Sequence, residues 1–156
     1  MPPHVYVTHV RSILEYCGVV WDNCTAAQTD QLEKLQRECL RIISGLPLYF
    51  DIDHLYRESG LERLATRCRL HRLILLFKAA ILGDCPQYFI DLLPLLRNDP
   101  SARRGHSINV FNPYPFTRNT KFLSSFFPCT TRDWNSLQLE CRTASSIGQF
   151  KRLIFR

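Results

Sequence analysis

Residues 61–82, LERLATRCRLHRLILLFKAAIL, decide the fold of this chain. Their first half is basic, whereas Leu73–Leu82 is apolar nearly all round apart from Lys78. A helix that is apolar on every side has to be buried, because standing alone it would expose too much hydrocarbon to water. The sequence therefore predicts one long helix, ended by Gly83, as the central buried element.

Two helices are predicted before this segment. The first covers about residues 4–21, where five apolar residues recur at helical spacing: Val10, Ile13, Leu14, Cys17 and Trp21. The second follows a capping box formed by Thr25 and Gln28 and ends at Gly45 and Pro47. Its predicted buried stripe consists of Leu32, Leu35, Cys39, Ile42, Ile43 and Leu46.

Shorter elements complete the predicted secondary structure. Asp51 or Asp53 caps a short helix that ends near Gly60, and residues 84–96 form another helix that Pro94 ends or bends. Residues 130–139 and 145–155 read as two more short helices.

The predicted fold class is mainly α. We expect a small bundle of about five to seven helices with an irregular, partly β-prone segment near residues 98–128, where four prolines fall. The composition changes at this segment. It predicts a helical domain over residues 1–97 and a basic, aromatic-rich extension over residues 98–156.

The positive charge is concentrated in the last third of the chain. The formal net charge is +6, yet residues 1–50 carry −1 and residues 51–100 carry zero, so residues 101–156 carry +7. Such asymmetry favours contact with a polyanion, either nucleic acid or a membrane surface. The alternative is a basic tail that only aids solubility.

The seven cysteines do not predict a disulfide scaffold. Their number is odd, their spacing is scattered and no secretory signal opens the chain. We therefore expect an intracellular protein of the nucleus or cytoplasm. No apolar run reaches the roughly 18 residues that would span a bilayer, so we expect no membrane partner.

No motif for catalysis or cofactor binding is present. The sequence has no glycine-rich phosphate loop and no Cys/His set at zinc spacing, so we predict neither catalytic residues nor a metal or cofactor. The five histidines stand apart from any recognisable nucleophile motif. Asp51 and Asp53 could pair on a metal, but a helix N-terminus is the favoured explanation.

One group of candidate nucleic-acid ligands lies on the long helix. Arg63, Arg67, His71 and Lys78 fall within an arc of ~80° at 100° per residue, and no acid lies between Arg63 and Gly83. An uncompensated stripe of this kind could follow a phosphate backbone. Alternatively, Glu58 and Glu62 fold over it and the arginine stems only shield the core.

A second candidate group lies in the irregular segment. It consists of Arg103, Arg104, His106, Arg118 and Lys121, interleaved with Phe111, Tyr114, Phe116 and Phe122. Cations among exposed rings suit single-stranded nucleic acid, because bases stack on the rings while the cations hold phosphates. Alternatively the aromatic residues are core, as we expect for Phe126, Phe127 and Trp134.

Five segments of the chain, in order, carry recognisable motifs. Residues 10–21 contain "R-x-x-LEY-(x)4-W", and residues 32–37 contain "LE-x-x-Q-(R/K)". Leu61–Leu64 with Arg67 and Arg72 form an "L-x-x-R" basic helix. The remaining two are "R…SF-x-(x)n-WN-x-L", at Arg118, Ser125-Phe126-Phe127 and Trp134–Leu137, and "S…FK", at Ser146 with Phe150-Lys151. This series resembles the region downstream of the polymerase core in non-LTR retrotransposon reverse transcriptases of the jockey-like, LINE type.

The resemblance implies a thumb and post-thumb region that helps to hold an RNA or DNA template–primer duplex. The parent protein would be an RNA-directed DNA polymerase whose palm carries the metal-binding carboxylates. The palm signature "(F/Y)-x-DD" does not occur in this sequence, and Ser12 stands where the family usually has proline. The alternatives are a helical protein–protein interaction module and a decayed retroelement remnant, and the sequence does not predict an oligomeric state.

Overall fold

The structure, a computed structural model, describes residues 5–22, 24–47, 49, 51–97, 109–115 and 117–155. These residues are mainly helical, with one two-stranded antiparallel sheet, which confirms the predicted fold class. The contact pattern divides the chain into two compact units, Met1–Arg69 (unit 1) and Leu70–Arg156 (unit 2). This division falls inside the long helix, whereas the change in composition had suggested one after residue 97.

The described residues of unit 1 form four helices and the start of a fifth. Helix α1 begins with a π-helical stretch, Tyr6–Arg11, that continues directly as α-helix over Ser12–Glu15. The others are α2 (Gly18–Trp21), α3 (Ala26–Ser44), α4 (Ile52–Ser59) and α5 (Leu64–Phe77), the last of which crosses into unit 2.

The predicted helix over residues 4–21 is interrupted. Cys17 adopts a left-handed backbone conformation with φ of 51°, and a new helical turn starts at Gly18. The wider π-helical turns of α1 also change which side chains face inward. Tyr6 and Arg11 are buried, whereas Ile13 and Cys17, two of the five apolar residues at helical spacing, are exposed.

Helix α3 confirms the predicted ends but not the predicted face. The backbone N–H of Gln28 donates to Oγ1 of Thr25, and the Gln28 side chain accepts from the backbone N–H of Thr25 at 3.0 Å. Gly45, with φ of 66°, ends the helix. Leu35 and Ile42, predicted as buried, are exposed, and two polar residues take the interior positions instead.

Those two residues are Glu33 and Gln36, which lie at the centre of a buried hydrogen-bond network in unit 1. Gln36 accepts from the hydroxyl of Tyr6 at 2.9 Å and donates to the carbonyl of Glu62 at 3.0 Å. Glu33 accepts from the Tyr56 hydroxyl and, at 3.0 Å, from the backbone N–H of Leu64. The Glu33 carboxylate therefore caps helix α5, satisfying a donor that the helix itself leaves free.

Helix α4 follows the prediction closely. The carboxylate of Asp51 accepts from the backbone N–H of His54 at 3.0 Å, and Gly60, with φ of 63°, ends the helix. Asp51 is thus the N-cap, as favoured over a metal-binding pair. The apolar centre of unit 1 lies between these elements and consists of Tyr6, Leu40, Leu55 and Tyr56.

In unit 2 the long helix continues as a π-helical turn over Lys78–Leu82 and ends at Gly83. The helix predicted over residues 84–96 is a single turn, α6 (Gln87–Ile90), and β1 (Leu96–Arg97) pairs with β2 (Val110–Phe111). The remaining helices are α7 (Thr120–Ser124), α8 (Phe126–Asn135), α9 (Leu139–Arg142) and α10 (Ile147–Ile154).

The end of the segment predicted to be irregular is helical. Asn119 caps α7 by accepting from the backbone N–H of Phe122 at 3.2 Å. Pro128 lies in the first turn of α8, where the helix leaves backbone N–H groups without internal partners. Its missing N–H therefore costs no helical hydrogen bond. The four prolines of residues 98–128 thus led us to predict too long an irregular segment.

The core of unit 2 is built on the segment that decided the fold. Leu73, Leu76 and Phe77 are at most 1% exposed, as the all-apolar stretch predicted. Phe77 stacks on Phe150 with ring centroids 4.4 Å apart, and Trp134 lies against both rings. Trp134 is a core residue as predicted, whereas Phe126 and Phe127 are half-buried.

Trp134 and Asn135 connect helix α8 to β2 and the residue before it by hydrogen bonds. The Trp134 indole N–H donates to the carbonyl of Asn109 at 2.8 Å. The Asn135 amide accepts from the backbone N–H of Phe111 and donates to its carbonyl, both at 3.0 Å. Asn135 therefore completes the hydrogen bonding of a short strand in the way that a neighbouring strand would.

Candidate nucleic-acid interface

The structure pairs the two arginines predicted on unit 1 with carboxylates. The Arg63 guanidinium lies 2.7 Å from Asp53 and over the ring of Tyr56. Arg67 donates to both oxygens of Glu15 at 3.0 Å. The expectation that these cations are uncompensated was wrong, because Asp53 neutralises Arg63 from ten residues earlier and Glu15 neutralises Arg67 from 52 residues earlier.

Glu15 is the centre of a partly buried ion cluster. Arg11, itself buried, donates to Glu15 at 2.6 Å, so one carboxylate serves two guanidinium groups. Burial tends to raise the pKa of Glu15, but the hydrogen bonds from Arg67 and Arg11 outweigh it and lower that pKa below its ordinary value. Arg67 is therefore part of the framework of unit 1 and has little freedom to follow a phosphate backbone.

Glu62 approaches the same cluster more loosely, with an oxygen 3.9 Å from Arg67. Glu58 lies 3.5 Å from the His54 ring. Of the two acids that the alternative explanation named, Glu62 therefore pairs with a predicted site residue, whereas Glu58 lies beside His54.

The other two residues of the predicted stripe belong to unit 2. His71 is half-buried and already takes part in a side-chain interaction. Lys78 is half-buried, and its Nζ lies 4.0 Å from an exposed carboxylate oxygen of Asp84. A pair at this distance between exposed ends stabilises little, so Lys78 can still reach an external phosphate.

The second candidate group is only partly described. Arg103, Arg104, His106 and Phe116 lie outside the described residues. Arg118 and Lys121 are exposed. Phe111 is buried and cannot stack on a base, whereas Phe122 is 40% exposed and meets the half-buried ring of Tyr114 edge-on at 5.7 Å.

The division into units agrees with the uneven charge of the sequence. Unit 1 has eight Lys/Arg against nine Asp/Glu, so its formal net charge is −1. Unit 2 has twelve Lys/Arg against five Asp/Glu, so its formal net charge is +7. The whole positive excess of the chain is therefore a property of unit 2.

Several exposed cations of unit 2 were missed by the sequence analysis. Arg132 on α8, and Lys151 and Arg152 on α10, are exposed, as are the predicted Arg118 and Lys121. None of these five makes an ion pair with an acid in the described part of the chain. The signal that could have found them was the local shortage of acids, rather than the helical spacing of the arginines.

A small pocket of unit 2 is lined by one of these cations, Arg132. Its volume is about 230 Å³, and Pro113, Tyr114, Leu123 and Pro128 also contribute to its walls. No carboxylate lines it among the described residues. The pocket therefore places one aromatic residue of the second candidate group, Tyr114, in the same wall as an arginine outside that group.

Neither a metal cluster nor a membrane span is found in the ranges that the structure covers. No three His, Cys, Asp or Glu side chains come together there in a way that could hold a metal ion. The helices in those ranges are too short or too polar to cross a bilayer.

Comparison with known proteins gives no relative. No protein-family model, no curated protein and no solved structure matches this chain. The site therefore has to be judged on its own geometry and charge.

Proposed function

We propose that this chain is a non-catalytic, C-terminal part of a retrotransposon reverse transcriptase that binds template–primer nucleic acid through unit 2. The observation that carries the proposal is the +7 charge of unit 2 together with exposed cations that have no acidic partner among the described residues. Such a surface binds nucleic acid by releasing the counterions that condense on its phosphates.

The resemblance supplies the parent family of this proposal, and the segments that carry it contact one another within each unit. Glu15 of the first segment pairs with Arg67 of the third, and Glu33 of the second caps the helix that starts at Leu64. In unit 2, Trp134 of the fourth segment packs on Phe150 of the fifth, with ring centroids 5.6 Å apart.

These contacts change which predicted residues we assign to binding. Arg118 and Lys121 are retained as ligands for phosphate, and Lys78 remains accessible. Arg67 is reassigned to the framework of unit 1, because its partly buried ion pair with Glu15 would have to be broken. Arg63 is exposed and its ion pair with Asp53 is at the surface, but it lies in a unit without positive excess and is not retained. Arg103 and Arg104 stay as predicted ligands outside the described residues. The parent would act as an RNA-directed DNA polymerase in the nucleus or cytoplasm.

Replacing Arg118 and Lys121 together with glutamine should weaken duplex binding without loss of fold. Both side chains are exposed and make no ion pair within the described ranges, so stability should change by less than about 0.5 kcal/mol. The logarithm of the affinity falls as the logarithm of the salt concentration rises, and each lost phosphate contact makes this slope less steep by about 0.9. Fluorescence anisotropy of a labelled primer–template at several salt concentrations measures this slope.

The matched control replaces Lys34 and Arg57 of unit 1 with glutamine. This pair also loses one lysine and one arginine, and both side chains are exposed. The control should bind as the wild-type protein does, since unit 1 carries no positive excess. Equal weakening by the two double variants, or an affinity indifferent to salt, would rule out duplex binding through unit 2.

A second candidate function, a helical protein–protein module, is favoured by one observation in unit 1. Ile13, Tyr16 and Val20 are 72–75% exposed, and a groove of about 470 Å³ lies beside Ile13, Trp21 and Leu32. The apolar stretch Leu73–Leu82 cannot provide this interface, because most of it lies in the core of unit 2. Analytical ultracentrifugation tests this function. A self-associated species whose sedimentation does not change when duplex is added would favour it.

A further inference from the structure

The pocket of unit 2 has the size of one nucleobase. A volume of about 230 Å³ holds roughly eight water molecules and falls below the roughly 300 Å³ at which pockets for drug-sized ligands begin. A paired base cannot enter such a space without leaving its duplex. A single unpaired base is therefore a ligand of suitable size, whereas a base pair is not.

The walls have the chemistry that a heterocyclic base requires. Pro113, Leu123 and Pro128 provide apolar surface, and the ring of Tyr114 provides an aromatic face. Phe122 contacts that ring edge-on, with an interplanar angle of 81°, and so fixes its orientation. Burial raises the pKa of the Tyr114 hydroxyl, so the ring stays uncharged beside an anionic ligand.

The wall of the pocket includes one cation. Arg132 is exposed, and its guanidinium makes no ion pair with any acid in the described ranges. An apolar slot with a cation in its wall complements one base together with the phosphate attached to its sugar.

Two polar side chains in the wall of the pocket make hydrogen bonds to the backbone. Thr131 donates to the carbonyl of Phe127 at 2.8 Å, and the Asn135 amide bonds to the backbone of Phe111. These bonds fix the position of both side chains. Stacking on an aromatic ring tolerates any base, so the sequence preference of the pocket is expected to be modest.

We propose that this pocket takes one unpaired nucleobase of a single-stranded nucleic acid, stacked on Tyr114, with Arg132 on the adjacent phosphate. The inference rests on the proposed function and makes it more specific, since a template–primer also has single-stranded overhangs. Duplex binding would occur through the exposed cations, whereas the pocket would hold a base only where the strand is unpaired.

The test compares a short oligothymidylate with an abasic strand of equal length and charge, using the full chain. The wild-type protein should bind the strand with bases more tightly, and Tyr114→Leu should reduce that preference by about five- to a hundredfold. Tyr114→Phe keeps the ring and should retain the preference. Affinity for a blunt duplex should be the same in all three proteins.

The outcomes separate this inference from the proposed function. If single strands and duplex bind with strong salt dependence but the abasic strand binds as well as the normal one, the pocket inference fails and duplex binding stands. If no nucleic acid binds, both fail. Circular dichroism of each variant confirms that the fold is intact.

Arg132→Gln provides a second variant that leaves the ring untouched. Arg132→Gln should reduce the affinity for both strands at least about threefold more than Arg152→Gln does. Arg152→Gln removes the same charge from an exposed residue that does not line the pocket. Equal effects of the two substitutions would overturn the role of Arg132.

Discussion

Replacing Trp134 with alanine is expected to destabilise unit 2 by about 3–5 kcal/mol. The side chain is fully buried, and its ring lies 5.6–6.3 Å from those of Phe77, Phe111 and Phe150, so its removal leaves a large cavity. The substitution also leaves the carbonyl of Asn109 without its indole donor. Urea denaturation followed by the loss of helical circular dichroism measures the change.

Two further variants calibrate the effect of Trp134→Ala. Trp134→Phe retains most of the packing and loses the N–H, so it should cost less than the alanine variant. Tyr88→Ala removes an aromatic ring that is 71% exposed and should change stability by less than about 0.5 kcal/mol. A Trp134→Ala protein as stable as the Tyr88→Ala protein would contradict the assigned core.

Replacing Glu15 with alanine is expected to destabilise unit 1 by about 3–5 kcal/mol. The substitution leaves the buried Arg11 and the half-buried Arg67 without their shared carboxylate. Uncompensated charge in such surroundings costs much more than the ion pair itself contributes. The free energy of unfolding in urea at neutral pH measures the change, with Glu38→Ala as the control that removes one exposed acid.

The effect of Glu15 should also depend on pH. Because its pKa is lowered in the folded protein, its stabilising contribution is present above the ordinary glutamate pKa and is lost as pH falls toward the lowered value. The difference between the wild-type and Glu15→Ala proteins should therefore shrink in acid. A difference that is constant with pH, or no larger than that of Glu38→Ala, would contradict the assigned cluster.

The parts of the fold that the sequence predicted correctly depend on local chemistry. The Thr25–Gln28 capping box, the Asp51 cap and the stops at Gly45, Gly60 and Gly83 involve residues within one helical turn. The all-apolar stretch was equally informative, because burial is the only stable outcome for it. These features need no knowledge of the rest of the chain.

The errors arose where distant residues meet. A helical wheel placed Leu35 and Ile42 inside, but the interior of α3 is taken by Glu33 and Gln36, whose partners Tyr56 and Glu62 lie 20 or more residues away. The apparently uncompensated Arg67 finds Glu15 across 52 residues of sequence. Periodicity assigns polar residues to the surface and cannot identify such tertiary partners.

Only part of the candidate site was predicted, because the rest depends on residues that are distant in the sequence. The excess of basic residues near the C-terminus pointed to Arg118 and Lys121, which the structure leaves exposed. The role of Arg132 depends on a pocket whose walls come from three separate parts of the chain, around residues 113, 123 and 128–135. No local pattern in the sequence predicts that these parts meet.

The most direct test of the central claim is an NMR titration of the isotope-labelled chain with a primer–template duplex that has a single-stranded overhang. At 18.3 kDa the protein is small enough for amide resonances to be followed individually. We predict that the shifted resonances lie in unit 2, around residues 117–124, Arg132 and Lys151–Arg152, and that they return toward their free positions as salt is added. Shifts confined to residues 5–69, or none at saturating duplex, would contradict nucleic-acid binding through unit 2.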